Sequence, residues 1–354
     1  MKPIATDTND FPALRRDGKI YVDKTGFIHR MVTDPNTRLF FISRPRRFGK
    51  SLTVSAIKAL FSGRRELFKG LYIENTDWKW EKYPVIHFEF NEVSTDSLDR
   101  FESDLVDHVK ERLEEAGYTY DSEATPAINF GRAIETLAWQ KDDNGDAVHK
   151  GVVILIDEYD APVGHCLDDI PKAEAVRNRL SDIYSKMKNR TGDIRFMLMT
   201  GISKFTRLSV FSALNNLVEV TQDREYATMF GYTEEELSAN FEEHLREHAA
   251  IMGKSYEDYR AEMKRWYNGF RFAKSDPTTV YNPVSVALTL FAKDPAGFAA
   301  TWSTTGRPSM LMNYLKREEV LRIDPERMED IDAAEFDVAE LRHLSPVALL
   351  YQAG

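Results

Sequence analysis

Cysteine is almost missing from this sequence of 354 residues, in which only Cys166 occurs. A single cysteine cannot form an internal disulfide and gives no basis for a thiolate metal site, which agrees with a reducing compartment. Long apolar runs are missing too: no segment approaches the ~18 apolar residues of a membrane span, and residues 1–11 (MKPIATDTNDF) lack the apolar core of a signal peptide. We therefore expect a soluble, cytoplasmic protein that has no membrane partner.

An excess of positive charge is also missing, because the net charge is −10. Composition therefore predicts no general affinity for nucleic acid. The charges are unevenly spread, with nine basic residues and one acid in residues 38–70, and ten acids and two arginines in residues 318–340. Solvated surface explains most of these charges; the alternatives are that the two regions pack together or that one face binds anions.

Short apolar runs alternate with helical patterns over the first 230 residues. The predicted strands are 39–43, 84–90, 152–156, 195–201 and 216–221, and the predicted helices are 52–61, 98–116, 127–139 and 172–188. The polar segment 141–150 is predicted to be a turn. Continuous apolar strands that alternate with helices are typical of a parallel sheet covered on both faces. We therefore predict an α/β fold, an α/β/α sandwich with a mostly parallel sheet, over residues 1–230.

The pattern becomes helical after residue 230. Thr233 and Glu236 have the spacing of a capping box, and helical patterns continue to Leu344. We predict a domain boundary near Gly231, with a smaller helical C-terminal domain over residues 231–345. The apolar run in SPVALLYQAG stops abruptly, so residues 346–354 are predicted to begin a truncated region.

The segment 43–51, SRPRRFGKS, partly matches the phosphate loop motif G-x-x-x-x-G-K-[ST]. Gly49, Lys50 and Ser51 fit the motif, whereas Arg44 replaces its first glycine. Because Pro45 restricts the preceding residue to extended backbone, Arg44 is predicted to continue the strand, and the bend moves to residues 46–49. A chance GKS tripeptide at the start of a helix is the alternative.

A phosphate loop that binds Mg²⁺ and ATP also needs acidic side chains nearby, and the predicted strand 152–156 is followed directly by Asp157 and Glu158. Phosphoryl transfer depends mainly on positioning and electrostatics. We predict that Lys50 contacts the β- and γ-phosphates, that Ser51 and Asp157 hold Mg²⁺, and that Glu158 accepts a proton from the attacking water. The residues predicted to bind ATP are Arg46, Arg47, Phe48, Gly49, Lys50, Ser51 and Leu52.

Five segments together resemble one protein family. They are YVDKTGFI (21–28), SRPRRFGKSL (43–52), LIDEYDAPV (155–163), MTGISKF (199–205) and YNPVS (281–285). In this order they resemble the bacterial AAA-ATPase-like family, whose members commonly carry a C-terminal PD-(D/E)XK nuclease-like domain. The resemblance implies a P-loop NTPase core of the additional-strand, AAA-like type that uses ATP and Mg²⁺. It also implies a nuclease-like partner domain, through which nucleic acid is a candidate ligand.

Several further residues are weaker candidates. Thr200 and Ser203 follow a strand expected beside the phosphate loop, and Thr200 is predicted to sense the γ-phosphate; a strand-end threonine that bonds local backbone is the alternative. Arg46 and Arg47 are predicted to face either the phosphates or a partner, and the candidates for a transition-state arginine are Arg207, Arg224 and Arg271. By resemblance, Tyr21, Asp23 and Lys24 cover the adenine or seal the site, with a plain structural turn as the alternative.

Two patterns that suggest metal ligands have simpler interpretations. HLREH (244–248) has the spacing of zinc-binding histidines, but it lies in a charged segment without an obvious third ligand, so a solvated helix face is favoured. Asp168 and Asp169 beside Cys166 are predicted to form a surface turn. Two functions remain: an ATP-hydrolysing module that regulates or drives an attached nuclease-like domain, or a nucleotide-gated interaction module that does not hydrolyse ATP.

Overall fold

The computed structural model of the protein describes residues 1–6, 8–142, 144–202 and 216–299. The helices are α1 (Phe11–Arg16), α2 (Thr25–Val32), α3 (Lys50–Phe61), α4 (Leu98–Glu115), α5 (Pro126–Ala138), α6 (Ala161–Gly164), α7 (Ile170–Ser185), α8 (Glu234–Ile251), α9 (Tyr256–Tyr267) and α10 (Pro283–Ala292). The strands are β1 (Leu39–Ser43), β2 (Val85–Glu89), β3 (Trp139–Lys141), β4 (Ala147–His149), β5 (Val152–Asp157), β6 (Ile194–Gly201) and β7 (Val218–Glu219). Short 3-10 helices span Arg65–Phe68, Tyr72–Asn75, Phe90–Glu92, Lys188–Asp193 and Arg224–Tyr226.

The central sheet has five strands in the order β2-β5-β6-β1-β7, and each neighbouring pair is parallel. Strand β6 lies between β1, which leads into the phosphate loop, and β5, which ends in Asp157. One strand therefore separates the two strands that carry the main predicted site residues, as in the additional-strand arrangement. The predicted α/β fold with a mostly parallel sheet is confirmed.

Both faces of the sheet are covered, because successive residues of each central strand point into different cores. In β5, Ile154 and Ile156 pack into one core with α4, α5 and α7, whereas Val153 and Leu155 pack into the other with α1, α2 and α3. All residues of β5 and β1 are buried. The continuous apolar runs in the sequence reflect this burial on both sides.

Two predictions about secondary structure are wrong in detail. Residues 141–150 are not only a turn, since β3 and β4 form an antiparallel hairpin in which Trp139 pairs with His149. The Asp142 carboxylate accepts hydrogen bonds from the backbone N–H groups of Asn144 and Asp146, so local polar bonds hold the turn of the hairpin. The last strand of the sheet is also shorter than predicted, with two residues.

Helices α8, α9 and α10 form a third core together with Ile20 and Val22 from the N-terminal region. The predicted capping box at the start of α8 is confirmed, because Thr233 and Glu236 each bond the other's backbone. Residues 300–354 lie outside the described part of the chain, so the helical domain 231–345 and the region 346–354 stay predictions. Within the described residues, the helices are all too short or too polar to cross a membrane.

Candidate functional site

The candidate site lies at the carboxyl edge of the sheet, where strands β1, β6, β5 and β2 end side by side. Ser43 pairs with Gly201, and Glu89 pairs with Asp157, so the last residues of these strands are in register. Parallel strands bring the residues that follow them to one edge, which is where ligands bind in open α/β sheets. The phosphate loop, residues 43–51, leaves β1 at this edge and enters α3.

The backbone of the phosphate loop bends late. Arg47 and Gly49 have φ angles of 69° and 92°, whereas Arg44 is not among the residues with positive φ. The Arg44 N–H donates to the Gly201 carbonyl at 3.0 Å, which extends the pairing of β1 with β6 by one residue. The predictions that Arg44 continues the strand and that residues 46–49 make the bend are therefore confirmed. Gly49 supplies the left-handed conformation that most residues adopt only with strain.

Lys50 lies inside the loop, with 4% of its surface exposed. Its Nζ donates to the backbone carbonyls of Arg44 and Pro45, each at 2.9 Å. Burial lowers the pKa of this lysine, and the charges of Asp157 and Glu158 oppose that shift. The ammonium group is therefore held at the edge of the sheet by loop carbonyls that a phosphate can replace as partners.

Helix α3 begins at Lys50 with an N-terminus that no side chain caps, because the N-cap residue is Gly49. The first N–H groups of a helix have no partner within it, and the helix dipole adds positive potential there. Lys50, Ser51 and Leu52 are the first residues of α3, and all three line the same cavity. This end of the helix has the properties of an anion site.

Asp157 and Thr200 end neighbouring strands and are joined by a side-chain hydrogen bond. The Thr200 Oγ1 donates to the Asp157 Oδ1, and both side chains are buried. The backbone N–H of Glu158 also donates to this carboxylate oxygen, at 3.1 Å. The Thr200 side chain is therefore bonded to Asp157, and its predicted contact with a γ-phosphate stays a prediction.

Glu158 follows Asp157 in a left-handed conformation with a φ of 50°, which is uncommon for a residue with a side chain. The half-buried carboxyl group lines the cavity together with Lys50. Burial raises the pKa of Glu158; Lys50 opposes the shift and Asp157 adds to it. A carboxylate with a raised pKa is a stronger base, which suits the predicted acceptance of a proton from water.

A cavity of about 580 Å³ extends from the phosphate loop, a size within the usual range for small-molecule sites. The phosphate loop and Glu158 form one part of its lining, which we call the basic end. Apolar side chains from the N-terminal region and from α10 form another part, which we call the apolar end: Ile4, Ile20, Val22, Val284, Ala287 and Leu288.

Residues 3–211 of the chain match a family that is described as predicted AAA-ATPase, the AAA-ATPase-like family. The chain belongs to this family. It is also 33% identical, over 357 residues, to a curated relative from Azotobacter chroococcum mcd 1 called "Uncharacterized protein in vnfD 5'region". That alignment covers 99% of this chain but only 63% of the relative, so the chain spans less than two thirds of that protein's length. No solved structure matches the chain.

Of the residues that family resemblance placed over the adenine, Tyr21 and Lys24 line the cavity. Asp23 has a structural role instead: its carboxylate accepts hydrogen bonds from the N–H groups of Thr25 at 2.8 Å and Tyr72 at 2.6 Å. The Lys24 ammonium bonds Glu236 of α8 at 2.6 Å. The alternative of a structural turn thus fits Asp23.

The candidate arginines are divided between the site and the surface. The positive charge of Arg46 is close enough to add to the lowering of the Lys50 pKa and to oppose the raising of the Glu158 pKa. Arg47 lines the cavity. Arg224 pairs instead with Asp276 at 3.8 Å, and Arg271 donates to the Ala273 carbonyl at 3.2 Å. Neither is among the residues that line this cavity. Arg207 and Ser203 lie outside the described residues.

The expectation of a solvated histidine face on α8 is wrong, because His244 and His248 are both buried. The His248 ring bonds the Tyr259 hydroxyl at 2.8 Å and the Asp294 carbonyl at 3.1 Å, so it forms part of the packing between the helices. Among the described residues, no group of histidine, cysteine and acidic side chains could hold a metal ion.

The predicted surface turn beside Cys166 is confirmed. Asp168 and Asp169 are exposed, and Asp169 caps α7 by accepting a hydrogen bond from the Lys172 N–H at 3.1 Å. Cys166 itself is buried beneath this turn.

Sequence reasoning missed the structural roles of Asp160 and Gly201, which lie next to the ends of β5 and β6. The buried Asp160 carboxylate accepts a hydrogen bond from the Ile202 N–H at 3.1 Å and so holds the chain where it leaves β6. Gly201 lies against Tyr159, and a Cβ there would be 2.5 Å from that ring. The acidic stretch DEYD is a signal for Asp160, but nothing in the local pattern identifies the close contact at Gly201.

Proposed function

We propose that this chain is an ATP-binding and ATP-hydrolysing module. The observation that supports the proposal most is the position of Lys50, whose buried ammonium bonds the loop carbonyls while the charges of Asp157 and Glu158 act on it. A lysine in this setting, beside an uncapped helix N-terminus, is suited to a polyphosphate. Membership of the AAA-ATPase-like family supports the same conclusion.

The residues present also fit Mg²⁺. The Ser51 hydroxyl begins α3, and the Asp157 carboxylate ends β5. Hydroxyl and carboxylate oxygens are the hard donors that this ion prefers. Bound Mg²⁺ would neutralise part of the negative charge on the phosphate oxygens. Thr200 fixes the Asp157 carboxylate through its hydrogen bond, which prepares that oxygen donor for its task.

The rest of the nucleotide is assigned to the apolar end of the cavity. Side chains such as Val22, Val284 and Leu288 offer surface for a base and a ribose, while residues 46–52 hold the phosphates. Ligand sites commonly combine an apolar wall with a few polar groups that fix orientation.

Glu158 distinguishes hydrolysis from simple binding. Its half-buried carboxylate lies at the basic end of the cavity and has a raised pKa, as a general base for water requires. A nucleotide-gated interaction module that does not hydrolyse ATP is the second candidate. The left-handed backbone at Glu158 favours the enzyme, because strain of this kind is often found at active sites.

The proposal is tested by calorimetry and by phosphate release. We expect Lys50→Ala to abolish ATP binding, whereas Glu158→Gln retains binding and loses turnover. Lys58→Ala, which removes a lysine from the same helix outside the cavity, is the matched control and keeps both activities. Unchanged ATP affinity in Lys50→Ala contradicts the assignment. Binding without turnover in the wild-type chain and in the full-length protein, with and without nucleic acid, favours the second candidate.

The larger protein is a further part of this proposal. We assign residues 1–230 to the ATPase core, 231–345 to a helical domain and 346–354 to the start of a region that leads to a PD-(D/E)XK nuclease-like domain. Family architecture motivates the nuclease-like domain, and ATP would regulate or drive it by changing how the helical part lies on the core. The test measures the affinity of the full-length protein for nucleic acid with ATP, with ADP and in the Lys50→Ala variant. The same affinity in all three cases contradicts this coupling.

A further inference from the structure

Arg44 occupies the place of the first motif glycine, and its side chain is buried. Only 1% of the residue is exposed. The guanidinium donates to three backbone carbonyls: Ser43 at 2.8 Å, Thr221 at 2.6 Å and Tyr226 at 3.2 Å. It therefore joins the start of the phosphate loop to the chain that follows β7.

Aromatic rings enclose the same guanidinium. The Arg44 Cζ atom lies 4.3 Å from the centre of the Phe272 ring and 5.7 Å from the centre of the Phe230 ring. Arginine stacks on aromatic faces and spreads its donors in a planar fork, which lysine cannot reproduce. Phe48 of the loop packs on Phe272 as well, with ring centres 5.3 Å apart. Two loop residues thus share one aromatic partner, Phe272, which is not among the residues that line the cavity.

The backbone of Arg44 connects this side chain to the site. Its carbonyl accepts a hydrogen bond from the Lys50 Nζ at 2.9 Å, and its N–H donates to Gly201 at the end of β6. The guanidinium fixes Arg44 through its side chain, and Lys50 bonds its backbone carbonyl. A shift of Arg44 would therefore move a direct partner of the lysine that is assigned to the phosphates.

We propose that Arg44 is a positioning residue for phosphate binding, which holds the phosphate loop in its binding conformation through the carbonyls of Thr221 and Tyr226 and the ring of Phe272. A flexible glycine at this position would leave the loop free to move. Arg44 replaces that freedom with a fixed connection and acts on the ligand through Lys50. This inference rests on the proposed function, since it concerns the same phosphates.

The test uses inorganic tripolyphosphate beside ATP, both with Mg²⁺, because the inorganic ligand engages only the basic end of the cavity. We expect Arg44→Met to weaken binding of both ligands about tenfold or more, as loss of hydrogen bonds from a charged group commonly does. Arg44→Lys keeps the charge but loses the fork, so its Kd lies between those of Arg44→Met and the wild type. Binding is measured well below the melting temperature of each variant.

Arg15→Met is the matched control. Arg15 also bonds two backbone carbonyls, of Leu67 at 2.8 Å and Lys69 at 2.6 Å, but it does not line the cavity. We expect this change to lower the melting temperature and to leave both Kd values unchanged. A purely structural role of Arg44 would give the same result in Arg44→Met, which would overturn the proposal.

Three further outcomes are decisive. If Arg44→Met does not fold, Arg44→Lys decides: a raised Kd for tripolyphosphate supports the role, and a wild-type Kd overturns it. If the wild-type chain binds neither ligand, the proposed function fails, and the role of Arg44 fails with it. A third result is that the wild-type chain binds both ligands, Lys50→Ala abolishes this binding, and both Arg44 variants bind as tightly as the wild type. It would overturn the inference about Arg44 and leave the proposed function intact.

Discussion

The Thr200 hydroxyl donates a hydrogen bond to the Asp157 carboxylate between the ends of two neighbouring parallel strands. This bond leads to a prediction that separates two roles for Thr200. If Thr200 orients Asp157, Thr200→Val lowers the affinity for Mg²⁺ with ATP and with ADP by a similar factor, about tenfold. If Thr200 instead senses the γ-phosphate, Thr200→Val weakens the binding of ATP more than that of ADP.

Thr200→Ser is the matched control, because it keeps the hydroxyl. We expect wild-type Mg²⁺ dependence in titrations of this variant followed by calorimetry. The same Mg²⁺ dependence in Thr200→Val and in the wild type would contradict the orienting role.

Gly201 provides a test of how tightly the chain packs behind the site. A Cβ at this residue would meet the Tyr159 ring at 2.5 Å and the Asp160 carboxylate at 2.7 Å. Because both neighbours are buried, we expect Gly201→Ala to reduce the free energy of unfolding by about 2 kcal/mol or more. Gly192→Ala is the control, since a Cβ there has no neighbour within 4 Å. Equal unfolding curves in urea for the two variants would show that the packing at Gly201 is not limiting.

The parts of the fold that could be predicted are those with a strong local signal. The strand 39–43 and the glycine, lysine and serine that follow it predict the loop and the start of α3 because apolar runs and helix starts are local properties. The run VVILI predicts the buried strand that carries Asp157 in the same way. The resemblance to the family implied the additional-strand type, whereas periodicity alone does not establish strand order.

The parts that could not be predicted depend on contacts between distant residues. His248 lies in a charged segment, yet its ring is buried because Tyr259 and Asp294 supply its hydrogen bonds. The Arg44 side chain depends on Thr221 and Tyr226, far along the chain. Tertiary partners of this kind leave no trace in local hydropathy.

The ion pair of Lys24 and Glu236 connects the N-terminal region to α8, and we expect its loss to lower the free energy of unfolding. The Lys24 ammonium also donates to the Thr228 carbonyl at 2.7 Å, and its side chain is only 9% exposed. Because Lys24→Met leaves the half-buried Glu236 carboxylate without its positive partner and with the Thr233 N–H as a remaining donor, we expect the free energy of unfolding to fall by about 3 kcal/mol. Adding Glu236→Gln to Lys24→Met should restore part of this loss, since it removes the unpaired charge.

The exposed pair of Arg246 and Glu242 on α8 serves as the comparison. Loss of a surface pair typically costs less than about 1 kcal/mol, so Arg246→Met should have a small effect. Unfolding in urea measures all these variants. Equal losses in Lys24→Met and Arg246→Met would contradict a special role for the buried pair.

His87 and His108 make the stability of the core sensitive to acid. Burial lowers the pKa of His87 from 6.5 to about 3 and that of His108 to about 4. Below pH 6.5 the unfolded chain therefore binds protons that the folded chain does not, so these histidines stabilise the fold above pH 6.5 and lose that contribution as the pH falls towards 4 and 3. Each adds a slope of up to about 1.4 kcal/mol per pH unit to the free energy of unfolding. We expect His87→Leu and His108→Leu to flatten the decline of that free energy between pH 6.5 and pH 4, measured by urea unfolding at each pH. An unchanged slope in both core variants would mean that His87 and His108 take up protons in the folded state as readily as in the unfolded one.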